Sequence, residues 1–168
     1  MSKGIKNQDK VKKIKDLLVI EDIPKTSKEA IEKNKDSVLR SLLSIGATRA
    51  VVTYNGSGDS GQVEEIRLFS GKKELVLKSD DRVKLYRGTT LFNPADKFDP
   101  WKTSFERIEL SLDEALQQIA EDLLDYNGID WYNDDGGYGE VEIDIKKQKL
   151  KLKHNQRVMS ENYEEHEV

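Results

Sequence analysis

Alternation of apolar and charged residues near the end of the chain is the feature that most constrains the fold. The stretch GEVEIDIKKQKLKLKHN (139–155) places Val, Ile or Leu at every second position on both sides of a central Lys147-Gln148 pair. A period of two is typical of a strand with one buried face, and two such runs around a short polar break predict a β-hairpin. The sequence therefore predicts an antiparallel sheet that ends in this hairpin.

The centre of the hairpin determines which residues face each other across it. If Lys147 and Gln148 form the turn, the apolar face and the charged face are both defined. On the apolar face the expected pairs are Ile145 with Leu150, Ile143 with Leu152 and Val141 with His154. On the charged face the expected pairs are Asp144 with Lys151 and Glu142 with Lys153. Each pair of opposite charges would contribute about 0.2–1 kcal/mol.

Two capping boxes predict helices that cover one face of the sheet. Thr26 with Glu29 begins the first helix, which runs towards Gly46, and Ser111 with Glu114 begins the second. Both helices have an apolar side at helical spacing, formed by Ile31, Val38, Leu39, Leu42, Leu43 and Ile45 in the first and by Leu112, Leu116, Ile119 and Leu123 in the second. The predicted class is α+β, an antiparallel β-sheet with helices packed on one face and a final C-terminal β-hairpin.

Four short β-rich runs lie between the two helices: TRAVVTY, VEEIRLF, KELVLK and RVKLY. The last two flank residues 79–81, which predicts a hairpin with Leu75 and Leu77 on the same face as Val83 and Leu85. The stretch from 88 to 105 contains Asn-Pro and Asp-Pro pairs. Because such pairs form turns, this stretch is expected to be an ordered loop.

Length and composition bound the domain organisation. We divide the 168 residues into a basic N-terminal segment with a helical pattern (1–25), a single α+β domain (26–158) and an acidic, flexible tail (159–168). The chain has no cysteine, which excludes disulfides, thiolate zinc sites and cysteine nucleophiles. Apolar runs of signal-peptide or membrane-spanning length are absent, so a cytoplasmic location is expected.

Acidic residues are concentrated late in the chain. No lysine or arginine occurs between Arg107 and Lys146, an interval that holds twelve acidic residues. Three of these belong to the charged face of the hairpin, and the other nine have no obvious local counter-charge. A solvated helix face accounts for such residues on most surface helices. The alternative is a surface for a basic protein partner, with the binding residues Asp113, Glu121, Asp122, Asp125 and Asp130.

Familiar catalytic and ligand-binding motifs do not fit their surroundings. Gly58-Asp59-Ser60-Gly61 is similar to the run around the nucleophile of trypsin-like proteases, but both histidines follow it and the chain is too short for two barrels. The neighbouring glycines precede a strand, not the helix of a phosphate-binding loop. The basic N-terminal segment lacks interleaved aromatic residues, so nucleic acid is not an expected partner.

Two loops of matching composition remain, YNGSGDSGQ and WYNDDGGYGE. If the TRAVVTY strand is antiparallel to the GEVEIDIK strand, both loops lie at one end of the sheet, and HNQR joins them there. A structural loop cluster is expected at this end, made of Asn55, Asn133, Asn155 and Arg157. Three interpretations of the loops stay open: turn residues alone, an aspartate–arginine brace, or a Mg²⁺ or Ca²⁺ site held by Asp59, Asp134 and Asp135.

The two loops and HNQR together resemble an uncharacterised bacterial domain family of unknown function. The resemblance spans roughly Ala47 to Val158 and is weakest from Phe69 to Arg107. It implies that the fold repeats as a unit. It supplies no activity and no catalytic residues.

Two function classes follow. The first is a non-catalytic binding module, immunity-, adaptor- or inhibitor-like, that uses an acidic face and needs no cofactor. The second is a metal-dependent phosphoester hydrolase, in which the Asp-rich loops hold an ion that activates water. Because the sequence offers no convincing general base, the binding module is the preferred hypothesis. The partner and the oligomeric state stay open.

Overall fold

Two helices and seven strands make up the part of the chain that the computed structural model describes, residues 22–78, 80–161 and 163–166. In chain order they are α1 (Ser27–Ser44), β1 (Arg49–Ser57), β2 (Ser60–Ser70), β3 (Lys73–Leu75), β4 (Arg82–Phe92), β5 (Trp101–Ser111), α2 (Leu112–Tyr126), β6 (Gly137–Asp144) and β7 (Lys149–Gln156). The predicted α+β class is confirmed. Residues 1–21, which make up most of the basic N-terminal segment with its helical pattern, lie outside the described residues.

Five strands form one antiparallel sheet in the order β3-β2-β1-β6-β7, and β4 and β5 form a separate two-stranded hairpin. One face of the large sheet packs against both helices and the base of the β4–β5 hairpin in a single core. A smaller cluster joins Leu124 of α2 to Tyr54 and Trp131. Neither described helix is both long and apolar enough to cross a lipid bilayer. Residues 157–161 and 163–166 form no helix or strand, and the boundary of the tail stays a prediction.

Each helix begins at the cap residue that the sequence indicates. At α2 the capping box is complete, because Ser111 Oγ accepts from Glu114 N and the Glu114 carboxylate accepts from Ser111 N. At α1 only half of the box forms. Thr26 Oγ1 accepts from Glu29 N at 3.2 Å, but the Glu29 carboxylate accepts from Lys25 N instead of Thr26 N.

Asn34 is a polar residue inside the core that joins α1 to β4. It is fully buried, its Nδ2 donates to Tyr86 O at 2.8 Å, and its Oδ1 accepts from Tyr86 N at 2.7 Å. β4 pairs with β5 along one edge only, so Asn34 takes the place of a neighbouring strand at the other edge. A buried polar side chain is stable only with such partners.

The middle of the chain differs from the sequence prediction in two respects. KELVLK and RVKLY do not form a hairpin around 79–81, since β3 pairs with β2 and β4 pairs with β5. The stretch from 88 to 105, expected as a loop, is mostly strand, and only 93–100 connects β4 to β5. The prediction was wrong because this half of the hairpin is largely exposed on both faces, so no apolar alternation marks it.

The C-terminal hairpin forms, but its predicted register is wrong by two residues. The observed pairs are Asp144 with Lys149, Ile143 with Leu150, Glu142 with Lys151, Val141 with Leu152, Glu140 with Lys153 and Gly139 with His154. The connection takes four residues instead of two, because Asp144 Oδ1 accepts from Lys147 N at 2.9 Å and Gln148 adopts φ 52°. Ile145 leaves the ladder and is buried in the core. A shift of two leaves every side chain on its predicted face.

Candidate functional site

The two glycine-rich loops meet at one end of the sheet, together with the segment after β7. Gly58 N donates to Asp134 O at 2.9 Å, and Arg157 N donates to Gly136 O at 3.0 Å. β1 and β6 are antiparallel, as the convergence requires. The predicted meeting of the three segments is therefore confirmed.

Close packing of backbone against side chains explains several glycines at this end. A Cβ on Gly61 would overlap the Trp131 indole, and a Cβ on Gly136 would overlap the Gly56 carbonyl. Trp131 is buried beneath the loops, with its ring edge-on to Tyr54 and the centroids 5.4 Å apart. The loops are therefore tightly packed turns.

The three aspartates predicted as metal ligands have local structural roles. Asp59 and Asp134 adopt positive φ angles of 75° and 53°. Aspartate tolerates this conformation better than most residues because its short side chain can bond locally. Asp135 Oδ2 accepts from Met159 N at 3.0 Å. Within residues 22–78, 80–161 and 163–166, no three His, Asp or Glu side chains are grouped so that they could hold a metal ion.

Arg157 braces the loops through neutral oxygens. Its Nη1 donates to Gly56 O at 2.7 Å, and its Nη2 donates to Asn55 Oδ1 at 2.6 Å. The guanidinium also lies 5.1 Å from the centroid of the Tyr138 ring. Asn155 Nδ2 donates to Tyr138 O at 3.4 Å. The aspartate–arginine brace considered from the sequence does not form, because Arg157 donates to a backbone carbonyl and an amide oxygen instead of an aspartate.

The five predicted partner-binding residues do not form one surface. Asp113, in the first turn of α2, accepts from Gln117 Nε2 at 3.1 Å. Asp130 lies in the following loop and accepts from both the backbone and the side chain of Asn133. The remaining three lie together towards the carboxyl end of α2, and we call them the acidic end of α2: Glu121, Asp122 and Asp125.

The acidic end of α2 is set apart by its lack of salt bridges, although Arg87 of β4 lies near enough to lower the pKa values of Glu121 and Asp122. In the sheet, Glu142 lies 3.1 Å from Lys153 Nζ, and the hydrogen bond from Lys153 lowers the pKa of Glu142. Helix α2 has no lysine or arginine. Across the described residues, none of the three carboxylates of the acidic end forms a salt bridge.

Burial and mutual repulsion shift the pKa values at the acidic end upwards. Burial raises the pKa of Asp122, and Asp125 adds to the rise, while hydrogen bonds from Gln118 and Asn34 oppose it. Partial burial also raises the pKa of Glu121, with further contributions from Asp122 and Asp125, while the positive charge of Arg87 opposes the rise. The expectation of a solvated helix face does not hold for Asp122, which is half-buried.

A cleft of about 280 Å³ lies beside the acidic end, between α1, the β4–β5 hairpin and the end of α2. Three aromatic residues and two acids are among those that line it: Tyr86, Phe105, Tyr126, Asp122 and Asp125. None of the described residues lining it is basic. The sequence indicated the two acids but not the aromatic residues. Tyr86 and Phe105 lie on the β4–β5 hairpin, and part of this hairpin, the stretch from 88 to 105, was expected to be a loop.

The fold and this surface define a small α+β protein with an acidic, aromatic-lined cleft beside an antiparallel sheet. The chain belongs to DUF6878, a family of unknown function, whose model matches residues 30–168. The match extends past both ends of the resemblance seen in the sequence and includes the stretch from 69 to 107. No curated protein and no solved structure matches the chain.

Proposed function

We propose that the protein is a non-catalytic bacterial cytoplasmic binding module, immunity-, adaptor- or inhibitor-like, that binds a basic protein through the acidic end of α2. The observation that carries this proposal is the position of three carboxylates where the fold itself disfavours negative charge. The described residues provide no salt bridge to offset them.

Three physical effects act against these carboxylates. The carboxyl end of a helix carries partial negative charge, so an acid in the last turn, here Asp125, is unfavourable. Glu121 and Asp125 lie one helical turn apart and repel each other. Asp122 is half-buried, which disfavours its ionised form. A sequence usually breaks local rules of this kind at a functional site.

A basic partner would remove all three penalties at once. Lysine or arginine side chains brought to the acidic end would form the salt bridges that no described residue forms with these carboxylates and would add to the attraction of Arg87. Attraction between opposite charges also steers a partner over long range and increases the rate of association. The acidic end therefore fits a basic protein better than a neutral or acidic one.

The test compares two matched double variants. E121Q/D125N removes two charges from the acidic end, and E32Q/D36N removes two charges at the same spacing from the exposed side of α1. The partner is cross-linked in the native host, identified by mass spectrometry and purified, and its dissociation constant is measured by calorimetry at low and high salt.

E121Q/D125N should weaken binding roughly tenfold or more, and it should reduce the salt dependence. E32Q/D36N should bind like the unmodified protein. Equal losses in both variants would show that only net charge matters. Unchanged binding in E121Q/D125N would reject the acidic end as the binding surface.

A further inference from the structure

The cleft beside the acidic end of α2 gives the proposed binding surface a defined contact. Resting on that proposed function, we infer that the cleft receives one arginine side chain of the basic partner. The guanidinium would lie against the aromatic wall and contact the carboxylates of Asp122 and Asp125.

The size of the cleft favours a single side chain. Its volume of about 280 Å³ lies just below the range of about 300–1,000 Å³ that is typical of small-molecule sites. It is open to solvent, because several of its lining residues, including Asp125 and Tyr126, are exposed. A long side chain reaching in from a protein surface fits this shape.

The chemistry of the walls favours a cation. Asp122 and Asp125 are three residues apart on α2, which places their side chains on neighbouring positions of one helix face. Both aspartates line the cleft, and no described basic residue lines it. A positive group in the cleft would therefore complement a charge that the described residues do not neutralise by any salt bridge.

The aromatic residues favour arginine over lysine. Phe105 lies opposite Gly88 in the hairpin register, and a Cβ on Gly88 would come within 3.0 Å of the Phe105 ring. The glycine therefore leaves room for the ring against the strand. Arginine is planar and weakly hydrated, stacks on aromatic rings and can donate to two carboxylates at once, whereas lysine is a strongly hydrated point charge.

The first experiment uses the full chain and two short probes. Acetyl-Gly-Arg-Gly-amide and its neutral citrulline analogue are titrated into ¹⁵N-labelled protein, and amide shifts are followed by NMR. The arginine probe should shift amides around the cleft, including those of Gly88, Phe105 and Asp122, and the citrulline probe should not. Equal shifts from both probes, or shifts that avoid the cleft, would overturn the inference.

A pair of isosteric variants tests whether Asp122 binds the arginine probe. D122N should weaken the arginine probe roughly tenfold or more, the loss expected for a hydrogen bond to a charged group. D113N makes the same change at the other end of α2 and should leave the probe unaffected. Equal affinities in the two variants would overturn the inference.

Filling the cleft separates this inference from the proposed function. Thr103 lines the cleft, whereas Thr89 is exposed and lies outside its lining, so T103W should block the cleft and T89W serves as the control. T103W should weaken partner binding roughly tenfold relative to T89W. If E121Q/D125N weakens partner binding but T103W does not, the inference falls and the proposed function stands. If E121Q/D125N has no effect on the partner while the arginine probe enters the cleft, the proposed function falls instead.

Discussion

Removing two charges from the acidic end of α2 should stabilise the protein. An acid near the carboxyl end of a helix costs about 0.3–1 kcal/mol, and a like-charged pair one turn apart costs about 0.2–0.5 kcal/mol. Asp125 lies in the last turn and is exposed, and Glu121 is buried only in part, so values near the low end of both ranges apply and the helix-end cost falls on Asp125. E121Q/D125N should therefore raise the free energy of unfolding by about 0.5 kcal/mol, which corresponds to a melting temperature about 1–2 °C higher.

Thermal unfolding followed by circular dichroism measures this gain, with E32Q/D36N as the control. In α1 the basic residues Lys28 and Arg40 lie one turn from Glu32 and Asp36, so neutralising these acids removes two favourable pairs together with the one repulsion between the acids. The control should melt at the same temperature as the unmodified protein or slightly below it. A lower melting temperature for E121Q/D125N, or an equal rise in both variants, would refute the electrostatic reasoning.

The size of the gain should also depend on pH. Partial burial raises the pKa of Glu121 in the folded state above its unfolded value of about 4.3. The stability linked to its protonation is therefore present below about pH 4.3 and is lost as the pH rises through the raised folded-state pKa. The advantage of E121Q/D125N should be largest near neutral pH and should shrink on acidification. A difference in melting temperature that grows in acid would contradict this sign.

Three further predictions concern the fold and the loops. Asn34→Ala should lower the free energy of unfolding in urea by about 2 kcal/mol, because the backbone N–H and C=O of Tyr86 lose their partners. Gly61→Ala should lower it by about 1–3 kcal/mol, because the added Cβ would overlap Trp131. Millimolar Mg²⁺, Mn²⁺ or Ca²⁺ should leave the melting temperature nearly unchanged, and a rise of several degrees that Asp59→Ala removes would favour the hydrolase hypothesis.

Local signals in the sequence predicted the fold wherever one face of an element is buried. The Ser111–Glu114 box and the Leu112, Leu116 and Ile119 stripe of α2 correspond to a capped helix with those side chains fully buried. The distal half of the β4–β5 hairpin has no buried face, so its sequence lacks the alternation of apolar and polar residues that predicts a strand. The C-terminal register depends on an aspartate cap and a left-handed Gln148, neither of which the run KKQK indicates.

The candidate site was only partly visible in the sequence because it combines residues from three separate elements. Charge alone indicated Glu121, Asp122 and Asp125, and the structure brings them to one end of α2. The cleft beside them needs Tyr86 and Phe105 from the hairpin. Their position depends on Asn34, which holds β4 against α1 through long-range hydrogen bonds that no local pattern encodes.

The burial of Leu124 against Tyr54 and Trp131 has a consequence for the kinetics of the proposed association with a basic partner. Leu124 lies between Asp122 and Asp125 and anchors the last turns of α2 to the packed loops. The carboxylates are therefore held in place before a partner arrives, and a preformed surface loses little conformational entropy on binding. Association with such a surface is limited by diffusion and charge attraction, so added salt slows the association step far more than it speeds dissociation.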